Sequence, residues 1–331
     1  FSYVKRHGAT MITSRGCPFT CSFCDRTVFE HKYRYNSAAY IHEHMRFLRD
    51  RFGVHHVNFY DDLFTANRKR IHELCELLIA KPLGMNFNCA IRAGQDDAEM
   101  FRQLKAAGAL MVSMGIESAD PVMMERHKAG VTCDEVRATV RDIHAAGLRA
   151  KGLFIFGLPG ETPQTVQTTS AFIQELGLDE INISKFSPLH GAPIWDECVS
   201  GEAGTLHEDW RLMNCMNFVF LPSGFSSREE MDEHYNAAVR GFYTSRTYQR
   251  RFARRLWQHR WSLLHLARSL PTLWQAKRYY DSDRHADSVG LRGFPLHPRQ
   301  PLALPPVFSP GLLVGKKNAA AREAIILRQA A

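Results

Sequence analysis

From residue 9 to about 188 the sequence alternates short β-rich runs with longer amphipathic ones, and this alternation restricts the fold more than any other feature. The runs at 9–14, 54–60, 85–91, 110–116, 150–157 and 181–187 read as strands; those at 37–52, 67–81, 96–107, 132–146 and 163–176 read as helices. Strands alternating with helices predict parallel pairing and right-handed crossovers. Boundary residues agree. Thr132 with Glu135 has the spacing of a capping box, and Thr162 precedes Pro163 as an N-cap precedes a first-turn proline. Gly108, Gly147 and Gly177 follow helices, where a left-handed C-cap favours glycine. Six βα repeats are too few for an eight-fold barrel, so an open, partial (βα)6 TIM-like barrel of the α/β class is expected.

The strands also divide by face. Ser113, Gly115 and Glu117 alternate with Val112, Met114 and Ile116, and Asn86, Asn88, Ala90 and Arg92 alternate with Phe87, Cys89 and Ile91. A period of two places each set on one side of the sheet. The apolar sets should meet the helices and the polar sets the barrel interior. Asp61, Asp62, Arg92, Glu117 and the loop after 157 should then converge at the C-terminal ends of the strands, where such barrels carry their sites.

Just after the first strand lie Cys17, Cys21 and Cys24, spaced C-x3-C-x2-C. Soft thiolates this close in sequence suit one metal centre, and iron–sulfur clusters are among the centres they select. A zinc knuckle or three structural thiols are the competing readings; for zinc, His31 is the one nearby fourth ligand, at a spacing that fits no common zinc pattern. The triad, with Phe23 directly before its last cysteine, resembles the signature of the radical S-adenosylmethionine (SAM) superfamily. The resemblance implies a [4Fe–4S] cluster on the three cysteines, with the fourth iron chelating SAM. It further implies reductive cleavage of SAM to a 5′-deoxyadenosyl radical that abstracts hydrogen from substrate.

Other motifs follow in the family's order. Asp61-Asp62-Leu63-Phe64-Thr65 looks like the variant of the amine-binding motif found in the cobalamin-dependent branch, and either aspartate could meet SAM. Met114-Gly115-Ile116-Glu117-Ser118 resembles the ribose motif, with Glu117 accepting the ribose hydroxyls. Gly152 to Thr162 resembles the fifth strand, which passes the adenine and would place Ile155, Gly157 and Pro159 beside it. The stretch Ser187 to Pro193 looks like the family's turn after strand six, with His190 a candidate site residue. A D-x-H-x-x-G match at Asp142, His144 and Gly147 falls in a helix and its C-cap, so His144 is read as a surface or helix-packing residue rather than a cobalt ligand.

Beyond the barrel (1–205), residues 206–280 read as a helical C-terminal region and 281–331 as an extended proline-rich tail. Residues 241–280 hold nine Lys or Arg and no acid, which accounts for the net charge of +8. Phe252, Leu256, Leu263, Leu266 and Leu270 suggest an apolar stripe, with Arg250, Arg251, Arg254, Arg255 and Arg260 solvated opposite it and no acid near to pair them. Nucleic-acid binding is not expected, and peripheral contact with an anionic membrane stays open. Eight cysteines without paired spacing, no signal peptide and no apolar run of membrane-spanning length point to the cytoplasm. The chain starts at Phe1, which suggests a piece of something longer.

The expectation is a radical SAM enzyme, a methyltransferase or an oxidative cyclase (oxidoreductase), acting on a small molecule. Cobalamin would be held by a domain absent from this chain, and the electron donor would be a flavodoxin or ferredoxin. The family members that the chain resembles include C-methyltransferases and the anaerobic Mg-protoporphyrin monomethyl ester cyclase. The alternatives are a methylthiotransferase acting on RNA and a non-catalytic Fe–S sensor.

Overall fold

The computed structural model describes residues 7–258 apart from 30, 31, 129, 208 and 210. The first half runs β1 (His7–Met11), β2 (Ser14–Arg15), β3 (Arg34–Tyr35), α1 (Ala38–Phe52), β4 (Val54–Phe59), α2 (Arg68–Ala80), β5 (Asn86–Arg92), α3 (Ala98–Ala106) and β6 (Ala109–Glu117). There follow α4 (Pro121–Lys128), α5 (Cys133–Ala145), β7 (Arg149–Phe156), α6 (Pro163–Glu175), β8 (Glu180–Lys185), α7 (Trp195–Ser200), β9 (Gly204–Leu206), β10 (Phe220–Pro222), α8 (Arg228–Thr244) and α9 (Arg246–Gln258). Six strands pair in parallel in the order β1-β4-β5-β6-β7-β8, with β1 and β8 as the two edges. This is the open, partial (βα)6 barrel expected.

Helix boundaries follow from their caps. The Thr132 hydroxyl accepts from Glu135 N–H while the Glu135 side chain accepts from Thr132 N–H, and Asn67 caps α2 through Arg70 N–H. Gly108, Gly147 and Gly177 all have positive φ after their helices. Alternation places Phe87, Cys89 and Ile91 in the core between sheet and helices, with Asn86, Asn88 and Ala90 half-buried on the opposite face. Phe59 stacks on Phe64 at 4.7 Å and meets Phe87 edge-on at 5.3 Å. Burial of each such ring contributes about 1.5–3 kcal/mol. Cys75 and Cys89 are buried in this core as small hydrophobes.

Two features depart from the expected pattern. Helix α4 has no apolar stripe to reveal it, because it is short and ends in Arg126-His127-Lys128. The ribbon of β2 with β3 is only two residues deep, yet it closes the base of the loop that carries the three cysteines. Gly16, at φ 86°, opens that loop; a Cβ there would overlap the Lys32 carbonyl oxygen.

The arginines of α9 depart from expectation as well. Arg250 and Arg254 are exposed, but Arg251 donates to the Gly177 carbonyl and Arg255 to Asp179. Asp179 also accepts from Ala150 N–H at 2.9 Å and pairs with His144 Nε2 at 3.0 Å. Burial alone would raise the Asp179 carboxyl; the bonds from His144, Ala150 and Arg255 hold it below its ordinary value. His144 thus ties α5 to Asp179, just before β8, and to Arg251 of α9. Arg260, Leu263, Leu266, Leu270 and the tail from 281 lie outside the described residues.

Candidate cofactor-binding site

Cys17, Cys21 and Cys24 line one cavity of about 170 Å³, together with Gly16, Phe19, Asp25, Arg26, Phe29 and Asp62. All three are free thiols. Desolvation raises the Cys17 and Cys24 thiols, Cys24 to about 12, and the charge of Cys21 raises both further. Three thiolates in one cavity require positive charge. Arg92 is one source, with Nη1 3.5 Å from Cys21 Sγ and its guanidinium 4.2 Å above the Phe19 ring.

Three soft thiols lining one cavity form a donor set with the chemistry to hold an iron–sulfur cluster. Among the described residues no group of three or more His, Cys, Asp or Glu converges tightly enough to hold one metal ion. His31, the alternative zinc ligand, lies outside the described residues.

Asp61 and Asp62 separate sharply. Asp61 is buried, accepts from the Thr13 N–H and hydroxyl, and pairs with Arg70 at 3.6 Å. Arg70 in turn donates to the carbonyls of Thr13 at 3.1 Å and Phe64 at 2.7 Å. Asp61 is therefore occupied beneath the cysteine loop. Asp62 accepts from Gly16 N–H at 2.8 Å and faces the cysteine cavity. The expected convergence thus includes Asp62 and Arg92, with Asp61 turned into the brace below them.

Glu117, at the end of β6, has φ 68°, which is uncommon for any residue but glycine. A register shift against β7 accompanies it. Its carboxylate receives Lys128 Nζ at 2.7 Å, and both side chains are almost wholly buried. Both groups act electrostatically on Cys24, so the pair stands beside the cysteine cavity. Lys128 and its neighbour His127 are site residues that sequence reasoning missed. In a run of Glu125, Arg126, His127 and Lys128 nothing local distinguishes a buried cation from a solvated one.

After β7 the chain turns at Gly157, whose φ is 96° and whose N–H donates to the buried Glu161 carboxyl. Pro159 presents its carbonyl to His127 Nε2 at 2.9 Å. Phe23 of the cysteine motif and Ile155 of β7 pack against one apolar cluster that contains Met123, Leu158 and Phe186. The loop after β8 closes on the cysteine loop through Ile194 N–H to the Ser22 carbonyl at 3.1 Å. His190 lies beyond this contact, against Trp195 at 4.8 Å in an outer cavity that shares Arg26 with the first.

The sequence matches the Radical SAM superfamily over residues 11–173, a span that starts in β1 and ends within α6. Residues 11–173 are a radical SAM domain. It is 29% identical over 234 residues to an uncharacterized methyltransferase of Pyrococcus horikoshii, covering 70% of this chain and 50% of that protein. It is 29% identical over 188 residues to the anaerobic magnesium-protoporphyrin IX monomethyl ester cyclase of Cereibacter sphaeroides, covering 56% of this chain and 31% of the cyclase. The fold also matches the radical SAM methyltransferase TsrM of Kitasatospora setae, solved with cobalamin and a [4Fe–4S] cluster, with a TM-score of 0.55. That match has 20% identity and covers 70% of this chain and 44% of TsrM. The chain therefore spans half or less of each of these three proteins. A radical SAM domain implies an enzyme that uses SAM and a [4Fe–4S] cluster, and Cys17, Cys21 and Cys24 have the chemistry to hold that cluster. Among the described residues no helix is long and apolar enough to cross a membrane.

Proposed function

We propose that this chain is the radical-generating part of a cobalamin-dependent enzyme that methylates or oxidatively cyclises a small molecule. The observation that carries this reading is the shared cavity of Cys17, Cys21 and Cys24, with Asp62 on its wall and Arg92 on Cys21. The names of the relatives, a methyltransferase and a cyclase, supply the two reaction classes. TsrM is the source of the cobalamin assignment; here cobalamin would sit in a domain outside this chain.

When bound, the reduced cluster supplies the electron that cleaves SAM; a flavodoxin or ferredoxin is the donor proposed. The rest of the work falls to side chains of this chain. Asp62 offers a carboxylate to the SAM amine, and Glu117 offers one to the ribose hydroxyls. Ile155, Gly157 and Pro159 form the wall for the adenine, and Phe23 packs against the same apolar cluster as Ile155. Arg92 offsets thiolate charge at Cys21. An RNA-directed methylthiotransferase would draw on the basic helix, but Arg251 and Arg255 are spent on Gly177 and Asp179.

Anaerobic reconstitution tests the reading. The chain should take up about four irons and, once reduced, release 5′-deoxyadenosine from SAM. Cys21→Ala should lose both. Iron content and SAM cleavage unchanged in that variant would remove the assignment. With the cobalamin domain added, S-adenosylhomocysteine alongside 5′-deoxyadenosine marks methyl transfer.

A further inference from the structure

The last three residues of α4 each reach a different part of the molecule. Arg126 pairs with Glu197 of α7, and Lys128 pairs with Glu117 of β6. Between them His127, 2% exposed, spans from the cysteine loop to the turn after β7. Its Nδ1 lies 2.8 Å from the Ser22 hydroxyl and its Nε2 lies 2.9 Å from the Pro159 carbonyl oxygen. A carbonyl only accepts, so Nε2 carries the proton and Nδ1 accepts from the Ser22 O–H. Both ring nitrogens of a neutral imidazole are thereby used, in one direction. Burial also holds the imidazole below its ordinary pKa, which keeps it in that neutral form.

Ser22 is the point where the strand-end loops meet. Its N–H donates to the His127 carbonyl at 3.1 Å, and its own carbonyl accepts from Ile194 N–H at 3.1 Å. The residue sits between Cys21 and Cys24, in the loop whose base the β2/β3 ribbon closes. The packing of Phe23 and the contacts of Arg92 with Phe19 and Cys21 also hold this part of the loop. The Pro159 carbonyl lies two residues beyond Gly157, in the turn assigned to the adenine.

We propose that His127 is a positioning residue for SAM: it sets the register between the cysteine loop and the β7 turn, so that the cluster and the nucleoside stand at a fixed separation. The proposal rests on the functional reading above. It assigns His127 no contact with SAM and no role in holding iron. Loss of the imidazole should therefore leave the cluster in place and loosen its relation to SAM.

The test compares wild type with His127→Ala, His127→Asn, His127→Gln and Ser22→Ala, all anaerobically reconstituted and matched for iron. Two quantities are read: the dissociation constant for SAM, and the change that SAM produces in the electron paramagnetic resonance spectrum of the reduced cluster. His127→Ala, which removes both bonds of the bridge, should bind SAM about tenfold more weakly, and its spectral response to SAM should be broadened. Asn places a polar atom near the Nδ1 position and Gln near Nε2, so each keeps one half of the bridge and should fall between alanine and wild type. Ser22→Ala should weaken binding in the wild-type background and add nothing in the His127→Ala background. Wild-type affinity and wild-type spectral response in His127→Ala would overturn the proposal. If His127→Ala does not fold, Ser22→Ala decides alone: wild-type behaviour there overturns it. A wild-type cluster whose spectrum ignores SAM would sink the functional reading itself, and this proposal with it.

Discussion

Lys128 Nζ lies 2.7 Å from Glu117 Oε1, in a pair that solvent scarcely reaches. Gly115 makes room for that pair. A Cβ there would stand 2.6 Å from Lys128 Nζ and closer still to Glu117 Oε1. The positive φ of Glu117 and the register shift beside it belong to the same arrangement: backbone strain of about 1–3 kcal/mol persists only where surroundings hold it.

Glu117→Ala is accordingly expected to weaken SAM binding by about 1–3 kcal/mol, the range for a charge-assisted hydrogen bond, with the iron content unchanged. Gly115→Ala should act in the same direction without touching either charge, because the new methyl displaces both partners. Titration of SAM into iron-matched proteins checks both. Equal affinity in all three would free Glu117 from the ribose role.

Glu161 is buried with one carboxyl oxygen accepting from Gly157 and the other unpartnered, and burial pushes its pKa to about 8. The folded chain thus holds this proton more tightly than the unfolded chain, where the value is about 4.5. The stability this contributes is full below pH 4.5 and is lost as pH rises through about 8. Glu161→Gln keeps the acceptor for Gly157 and removes the titration. Relative to that variant, wild type should lose roughly 2–4 kcal/mol of stability between pH 5 and pH 9. Parallel pH profiles in denaturant melts of the two proteins would refute this.

Arg255 and Arg251 fasten α9 to the N-terminal ends of β7 and β8 through Asp179 and Gly177. Arg255→Ala should cost about 1–3 kcal/mol, the range for a hydrogen bond to a charged group, whereas exposed Arg254→Ala should change stability by less than about 0.5 kcal/mol. Thermal denaturation distinguishes them, and equal midpoints would return the whole face to solvent.

Most of the barrel is legible in the residues themselves. Thr132 with Glu135, Thr162 with Pro163 and Gly108, Gly147 and Gly177 mark helix ends, because caps are bonds within one turn and their partners lie a few residues apart. The alternation of Phe87, Cys89 and Ile91 with Asn86 and Asn88 settles the faces of β5, since period two is a property of any strand. The cysteine spacing and the order of the later motifs are local too, and the family resemblance read from them agrees with the match over residues 11–173.

What only the tertiary structure decided involves partners distant in sequence. Asp61 and Asp62 are adjacent and chemically alike; Arg70 and Thr13 claim the first, and Gly16 brings the second to the cysteines. His127 and Lys128 look like any basic helix end until β6, the cysteine loop and the β7 turn close around them. Arg251 and Arg255 look solvated until Gly177 and Asp179, more than 70 residues earlier, come within reach. Spacing along the chain encodes bonds within a turn or a strand. Whether a charge is buried depends on which strand lies next in the sheet, and that is set by the packing of the whole barrel.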